Sequence, residues 1–250
     1  MRCLLRTVVM VACALGFGSA VHAQDDAHAI LDKAIKARGG EANLAKLKAI
    51  RTKVKGTLEL PTIGTTEFTG EVFFELPERY RTNLQLQVQG QMVPVIGIFD
   101  GVSGWRSLMG GGMDITGDDL TTMKTSVYAQ YISTLLPLRD KQFELTKLEE
   151  IKVNGKPGVG IKVAAKDRPD VKFYFDKESG LMVKAERMTL DRQSGQEVLS
   201  ESFITEWKDI KGIQFAMKTH IVRGGKKVEE TQTVEIEVLD KLDAKLFAKP

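Results

Sequence analysis

Three features of the sequence predict a mainly β protein with a few helices (α+β): an antiparallel, incomplete (unclosed) β-barrel of about ten or eleven strands under an α-helical lid. The first is strict alternation in segment 66–89. Phe68, Val72, Phe74 and Leu76 occupy even positions against Glu67, Thr69, Glu71 and Glu75 on odd ones, with Phe73 as the dissenter. After the corner at Pro77 the same parity returns with Tyr80, Leu84, Leu86 and Val88 against Arg79, Arg81, Asn83, Gln85 and Gln87. A period of two is the mark of a half-buried strand, and two such strands in succession form a sheet with one oily face. The second feature is hairpin chemistry recurring through the latter half of the chain. The third is the strand number itself, more than a strongly twisted open sheet holds without curling.

Taken in order, the chain opens with Arg2 and Arg6 before an apolar run at 7–17, then Gly18, Ser19 and Ala20, then Val21-His22-Ala23. This is the pattern of a secretory signal peptide, 1–23, cut after Ala23; the run is short of the roughly 20 residues a membrane-spanning helix needs. A lipid-anchored form at Cys13 is the alternative, although the apolar stretch before Cys13 would then be very brief. Both cysteines, Cys3 and Cys13, fall within the leader, so the remaining 24–250 has no thiol for a disulfide, a metal or a nucleophile. Export without disulfides suits the periplasm and a chain large enough to rely on its core.

Asp26 is positioned to cap a helix with the stripe Ile30, Leu31, Ala34 and Ile35, stopped by Gly39-Gly40. A shorter helix is expected at 41–47 and a strand at 51–60. The run Met92-Val93-Pro94-Val95-Ile96-Gly97-Ile98-Phe99 is apolar on both parities, so both faces are buried or one meets a ligand, and Pro94 suggests an edge or a bulge. Asp100-Gly101 makes a turn into a short strand around Trp105. The stretch Leu108-Met109-Gly110-Gly111-Gly112-Met113 reads as a loop, with 110–112 either a hinge or a surface turn. Thr116 and Asp119 resemble a capping box opening a third helix, in which Leu120, Met123, Val127, Tyr131 and Leu135 recur at helical spacing until Pro137.

Asn154-Gly155 and Gly224-Gly225 then suit tight turns, and Lys177-Glu178-Ser179-Gly180 and Arg192-Gln193-Ser194-Gly195 suit longer ones. Between them alternation is clear at Val159/Ile161/Val163, Val171/Phe173/Phe175, Ile213/Phe215/Met217/Ile221 and Val228/Val234/Ile236/Val238. No linker or low-complexity segment divides the chain, so 24–250 is read as one domain.

Composition narrows the function. The formal charge is +3, and loss of Arg2 and Arg6 brings it to +1. No basic run interleaved with aromatics appears, so nucleic acid is not an expected partner. Beyond the leader the histidines are His28 and His220, neither in a recognisable metal or nucleophile motif, so neither catalysis nor a cofactor is expected. A barrel of this width has an interior that strand side chains do not fill, and the helices are modest. Either two sheet faces pack on each other or an apolar cavity remains. The residues expected to line such a cavity are Phe68, Val72 and Phe74, then Tyr80, Leu84, Leu86 and Val88, then Met92, Ile96, Ile98 and Trp105, and from the third helix Met123, Val127 and Tyr131.

The run Phe73-Phe74-Glu75-Leu76-Pro77-Glu78-Arg79-Tyr80-Arg81, followed by Phe99-Asp100-Gly101 and Trp105, resembles the periplasmic lipoprotein-carrier superfamily, the LolA/LolB-like proteins. So do the capped third helix, the turn Asp176-Lys177-Glu178-Ser179-Gly180-Leu181-Met182 and the ending Leu242-Asp243-Ala244-Lys245-Leu246-Phe247. The resemblance implies an unclosed barrel with helices as a lid and a hydrophobic cavity for lipid or lipoprotein acyl chains, with envelope transport partners. One position departs from it: the carriers place an arginine directly before the proline, and here stands Leu76. The alternative is therefore a β-rich envelope interaction or lipid-sensing module without transfer activity.

Overall fold

The computed structural model describes residues 18–191 and 194–249, with side chains from Asp26 onward. Helices α1 (Gly18–Ala37) and α2 (Glu41–Leu44) precede six strands: β1 (Ala49–Leu60), β2 (Gly64–Glu75), β3 (Arg79–Val88), β4 (Gln91–Phe99), β5 (Gly104–Leu108) and β6 (Gly111–Ile115). Helix α3 (Gly117–Ile132) and a 3₁₀ turn (Leu136–Arg139) lead to β7 (Phe143–Val153), β8 (Lys156–Ala165), β9 (Arg168–Asp176), β10 (Met182–Leu190), β11 (Glu197–Ile210), β12 (Ile213–Arg223) and β13 (Lys226–Leu239). A second 3₁₀ turn (Ala244–Phe247) follows.

All thirteen strands of the described residues belong to one antiparallel sheet, in the order β6-β5-β4-β3-β2-β1-β13-β12-β11-β10-β9-β8-β7. It is two meanders zipped together where β1 pairs with β13. The ends of the row, β6 and β7, are not paired with each other, and α3 is the connection that crosses between them. The unclosed barrel is therefore as expected, with more strands than the ten or eleven counted from sequence.

Curling has a local cause in β1. Its pairing with β13 shifts between Lys53 and Val54, a bulge that sharpens the bend. Just beyond, a Cβ on Gly56 would run into the backbone carbonyl oxygen of Glu230 on β13. Only a residue without a side chain lets the two strands approach so closely.

The main core lies where α1 meets the second meander. Ala27, Leu31, Ala34 and Ile35 of α1 pack with Leu145, Ile161, Val163, Phe173 and Phe175. Burying each Leu or Ile in such a stripe contributes roughly 1.5–3 kcal/mol, which offsets the cost of ordering a helix of modest propensity. Asp26 does not cap this helix, which begins at Gly18; its carboxylate instead accepts from Lys147 Nζ on β7 at 2.8 Å. At the other end the Arg38 Nη1 donates to the carbonyl of Ser133 beyond α3, and its Nε to that of Gln214 at 3.4 Å. Burial lowers Arg38 to about 10, so it stays charged at neutral pH and ties α1, α3 and β12 together. The segment read as a leader lies outside the described residues, except for 18–23, which open α1.

Other expectations need amending. The stretch around 108–113 is not a loose loop but a hairpin: Met109 and Gly110 take φ of 53° and 81°, the geometry of a two-residue turn, and β6 pairs with β5 from Gly111 on. Helix α3 ends at Ile132 rather than running to Pro137, because Leu135 adopts φ 76° and starts the 3₁₀ turn. Thr116 stands at the N-cap, but its side chain makes no capping hydrogen bond. Phe73, out of step in the alternation, is buried on the far face of the sheet with Ala49, Ile98, Leu242 and Phe247.

The turn between β9 and β10 carries a pH-dependent contribution. Asp176 Oδ1 accepts from the Ser179 backbone N–H at 2.7 Å and its hydroxyl at 2.8 Å, and these bonds hold the carboxyl below its ordinary range. A carboxylate whose folded pKa is depressed stabilises the protein above its unfolded value, about pH 4, and that contribution disappears as pH falls through the folded value. Ser179→Ala is expected to lower the urea midpoint at pH 7, with the gap from wild type narrowing below about pH 4; a gap independent of pH would remove Asp176 as its cause.

Candidate binding face

Strand register defines the face that the helices cover. Phe74 pairs with Tyr80, Tyr80 with Phe99, Phe99 with Gly104 and Gly104 with Ile115, a row running across five strands. Helix α3 lies over this row: Val127 is buried against Phe74 and Phe99, with Leu120, Met123, Tyr80 and Tyr131 packed around them. The close approach depends on Gly104, where a Cβ would stand 3.1 Å from the Met123 sulfur and 3.3 Å from Leu120 Cδ1. Burial, aided by the carboxylate of Glu229, pushes the Tyr80 phenol well above its ordinary value.

Two further rows continue the same face away from α3. Val54 pairs with Gly70, Gly70 with Leu84, Leu84 with Val95 and Val95 with Leu108; Gly56 pairs with Phe68, Phe68 with Leu86 and Leu86 with Val93. Here Val54, Phe68 and Leu86 are buried, with Leu58, Leu60, Val72, Leu84, Val88 and Val95 half-buried around them. No helical side chain among the described residues belongs to this cluster. At its border Leu108 and Met113 are more than half exposed. The result is a continuous apolar wall, part of it under α3 and part of it beyond.

The structure brings together Phe68, Val72, Leu84, Leu86 and Val88 in the wall beyond α3, and Phe74 and Tyr80 beneath Met123, Val127 and Tyr131 of α3. It does not place Met92, Ile96, Ile98 and Trp105 with them. Ile96, Ile98 and Trp105 pack on the opposite face with Phe73, Leu246 and Phe247, and Met92 is exposed on that side. The reason is register. β4 is apolar on both parities, and its pairing with β3 sends the odd residues Val93, Val95 and Phe99 inward. That signal was present in the sequence: Gln89-Gly90 forms a two-residue turn with φ of 50° and 80°, so the parity of β3 dictates that of β4.

A concavity of about 410 Å³ opens on the face away from α1 and α3. It is lined by Lys55, Glu67, Gln85, Lys218, Glu230 and Gln232 together with threonines and the apolar Phe68 and Met92. This lining mixes charged and amide groups with apolar ones, whereas the wall on the covered face is built from apolar side chains and is the better candidate for a hydrocarbon.

No known family model matches the sequence, and no curated protein does. Solved structures do match in fold. A DUF1329 family protein from Desulfovibrio piger aligns with a TM-score of 0.57 at 10% identity, covering 89% of this chain and 97% of its own. A LolA superfamily protein from Nitrosomonas europaea aligns at 0.55 and 13% identity, over 89% and 97%. An outer membrane lipoprotein-sorting protein domain from Vibrio parahaemolyticus aligns at 0.55 and 11% identity, over 90% and 97%. At such identities the likeness is one of fold.

Proposed function

From a LolA-like fold with an apolar wall only partly covered by helices, we propose that this chain binds lipid or lipoprotein acyl chains in its half-barrel, as an envelope carrier or binder of the lipoprotein-sorting type. The carrying observation is the cluster of Val54, Phe68 and Leu86 with its half-buried neighbours, an apolar stretch of the covered face to which no described helix contributes a side chain. A hydrocarbon chain laid along it gains roughly 0.8 kcal/mol per CH₂ removed from water, on the order of 10 kcal/mol for a twelve-carbon chain. The reading is of binding rather than catalysis. Its companion is export: leader 1–23 is removed after Ala23, and 24–250 acts in the periplasm as one domain. No helix among the described residues is long and apolar enough to cross a membrane.

The experiment is lipid extraction of the purified protein with mass spectrometry of the extract, together with titration of the neutral probe N-phenyl-1-naphthylamine. Co-purified lipid and saturable fluorescence are expected. An empty extract with no saturable signal would favour the β-rich interaction module, for which the concavity beside Lys55 and Gln85 is the natural contact surface.

A further inference from the structure

Across the covered face from the apolar wall, three strands carry Arg187, Ser200 and Arg223 in one row, since Arg187 pairs with Ser200 and Ser200 with Arg223. The row points inward: Arg187 also pairs with Val171, a fully buried member of the main core, and Ser200 itself is buried. With adjacent strands about 4.8 Å apart, the two arginine Cα atoms are separated by roughly 10 Å, a span that two guanidinium side chains close easily on a shared anion. Arg187 Nη2 donates to Ser126 Oγ on α3 at 3.1 Å, and the Ser126 hydroxyl donates onward to the Thr122 carbonyl at 2.8 Å. The Nε atoms of both arginines are buried and have no hydrogen-bond acceptor among the described residues.

No acid among the described residues forms an ion pair with either arginine. Glu186 and Glu201 lie on the other side of the sheet, bound to Lys184 at 2.7 Å and 2.6 Å. Glu229, the acid on the same inward face, pairs with Leu58 at the border of the apolar wall and accepts from the Thr231 hydroxyl at 2.8 Å, and its charge acts on Tyr80. Burial, with Arg223 as a like-charged neighbour, makes Arg187 easier to deprotonate than an ordinary arginine. Two cationic forks with unused buried donors are costly in a protein interior unless an anion answers them. Planar guanidinium pairs suit phosphate and carboxylate above other acceptors.

We infer that Arg187 and Arg223 hold the anionic headgroup, phosphate or carboxylate, of a lipid whose chain lies along the wall of Val54, Phe68 and Leu86. This rests on the acyl-binding reading above and adds the class of headgroup. A lipid fits the site better than a free anion because Arg223 and Leu60 end strands at the same end of the sheet, next to the turns that close β12–β13 and β1–β2.

The test is calorimetric titration of the purified protein with dodecyl phosphate, with glycerol monolaurate of the same chain length, and with inorganic phosphate. The expected result is dodecyl phosphate binding on the order of tenfold or more tightly than monolaurate, as befits charged hydrogen bonds. The preference should be lost in the double variant Arg187→Gln/Arg223→Gln and partly kept in Arg187→Lys/Arg223→Lys. Equal affinity for the two lipids overturns the headgroup site while leaving the acyl site standing, and no binding of either overturns both. Inorganic phosphate binding as tightly as dodecyl phosphate makes the site one for a free anion and overturns the lipid assignment. Should the glutamine variant fail to fold, the comparison of ligands on the unaltered protein still decides.

Discussion

Leu86→Glu is expected to abolish saturable binding of the acyl probe, a loss on the order of a hundredfold or more, while Gln85→Glu stays within about threefold of wild type. The two residues are adjacent in β3 and point to opposite faces: Leu86 is buried with Phe68 and Val54, and Gln85 lines the concavity. A carboxylate in the wall must either ionise against hydrocarbon or bring water with it, and both outcomes cost several kcal/mol of ligand affinity. Since Leu86 is itself buried, Val88→Glu provides a parallel at a half-buried position, where unfolding is less of a risk. Circular dichroism establishes that each variant is folded before its affinity is read. Equal losses in Leu86→Glu and Gln85→Glu would mean that the covered face is not where the chain lies.

The largest expected effect on stability is Phe173→Ala, about 3–5 kcal/mol, read from urea unfolding. Phe173 is 1% exposed, paired between Ile161 on β8 and Ala185 on β10 inside the main core that α1 covers. Truncation leaves a cavity that a thirteen-stranded sheet, hydrogen-bonded on both sides of β9, has little freedom to collapse into. Val234→Ala, at a position 58% exposed, should fall within about 0.5 kcal/mol of wild type. Acyl-probe affinity is expected to be unchanged in folded Phe173→Ala, because the wall beyond α3 is built from β1 to β4. A coincident loss of both would indicate that the two clusters act as one unit.

Much of this architecture was legible in the chain. The alternation of β2 and β3 is what buries Phe68, Phe74 and Leu86 on one face, and Asn154-Gly155 and Gly224-Gly225 turn where their positive φ values require. Local signals succeeded there because a period of two and a left-handed turn are properties of a few neighbouring residues. Where the pattern was ambiguous it misled. Three consecutive glycines looked shapeless and instead supply the turn and first residues of β6. The doubly apolar β4 offered Ile96 and Ile98 as readily as Val95 and Phe99, and only its pairing with β3 separates them.

What the sequence determined alone was the kind of object: a long antiparallel meander with one oily face, too many strands to stay flat, and few helices to cover it. Which residues meet on that face was decided by tertiary structure. Phe73 finds its partner in Phe247, and Arg187 finds Arg223 on the far side of an intervening strand. Such meetings follow from register accumulated across several hydrogen-bonded strands, and a shift of one residue anywhere along the way sends every side chain beyond it to the other face.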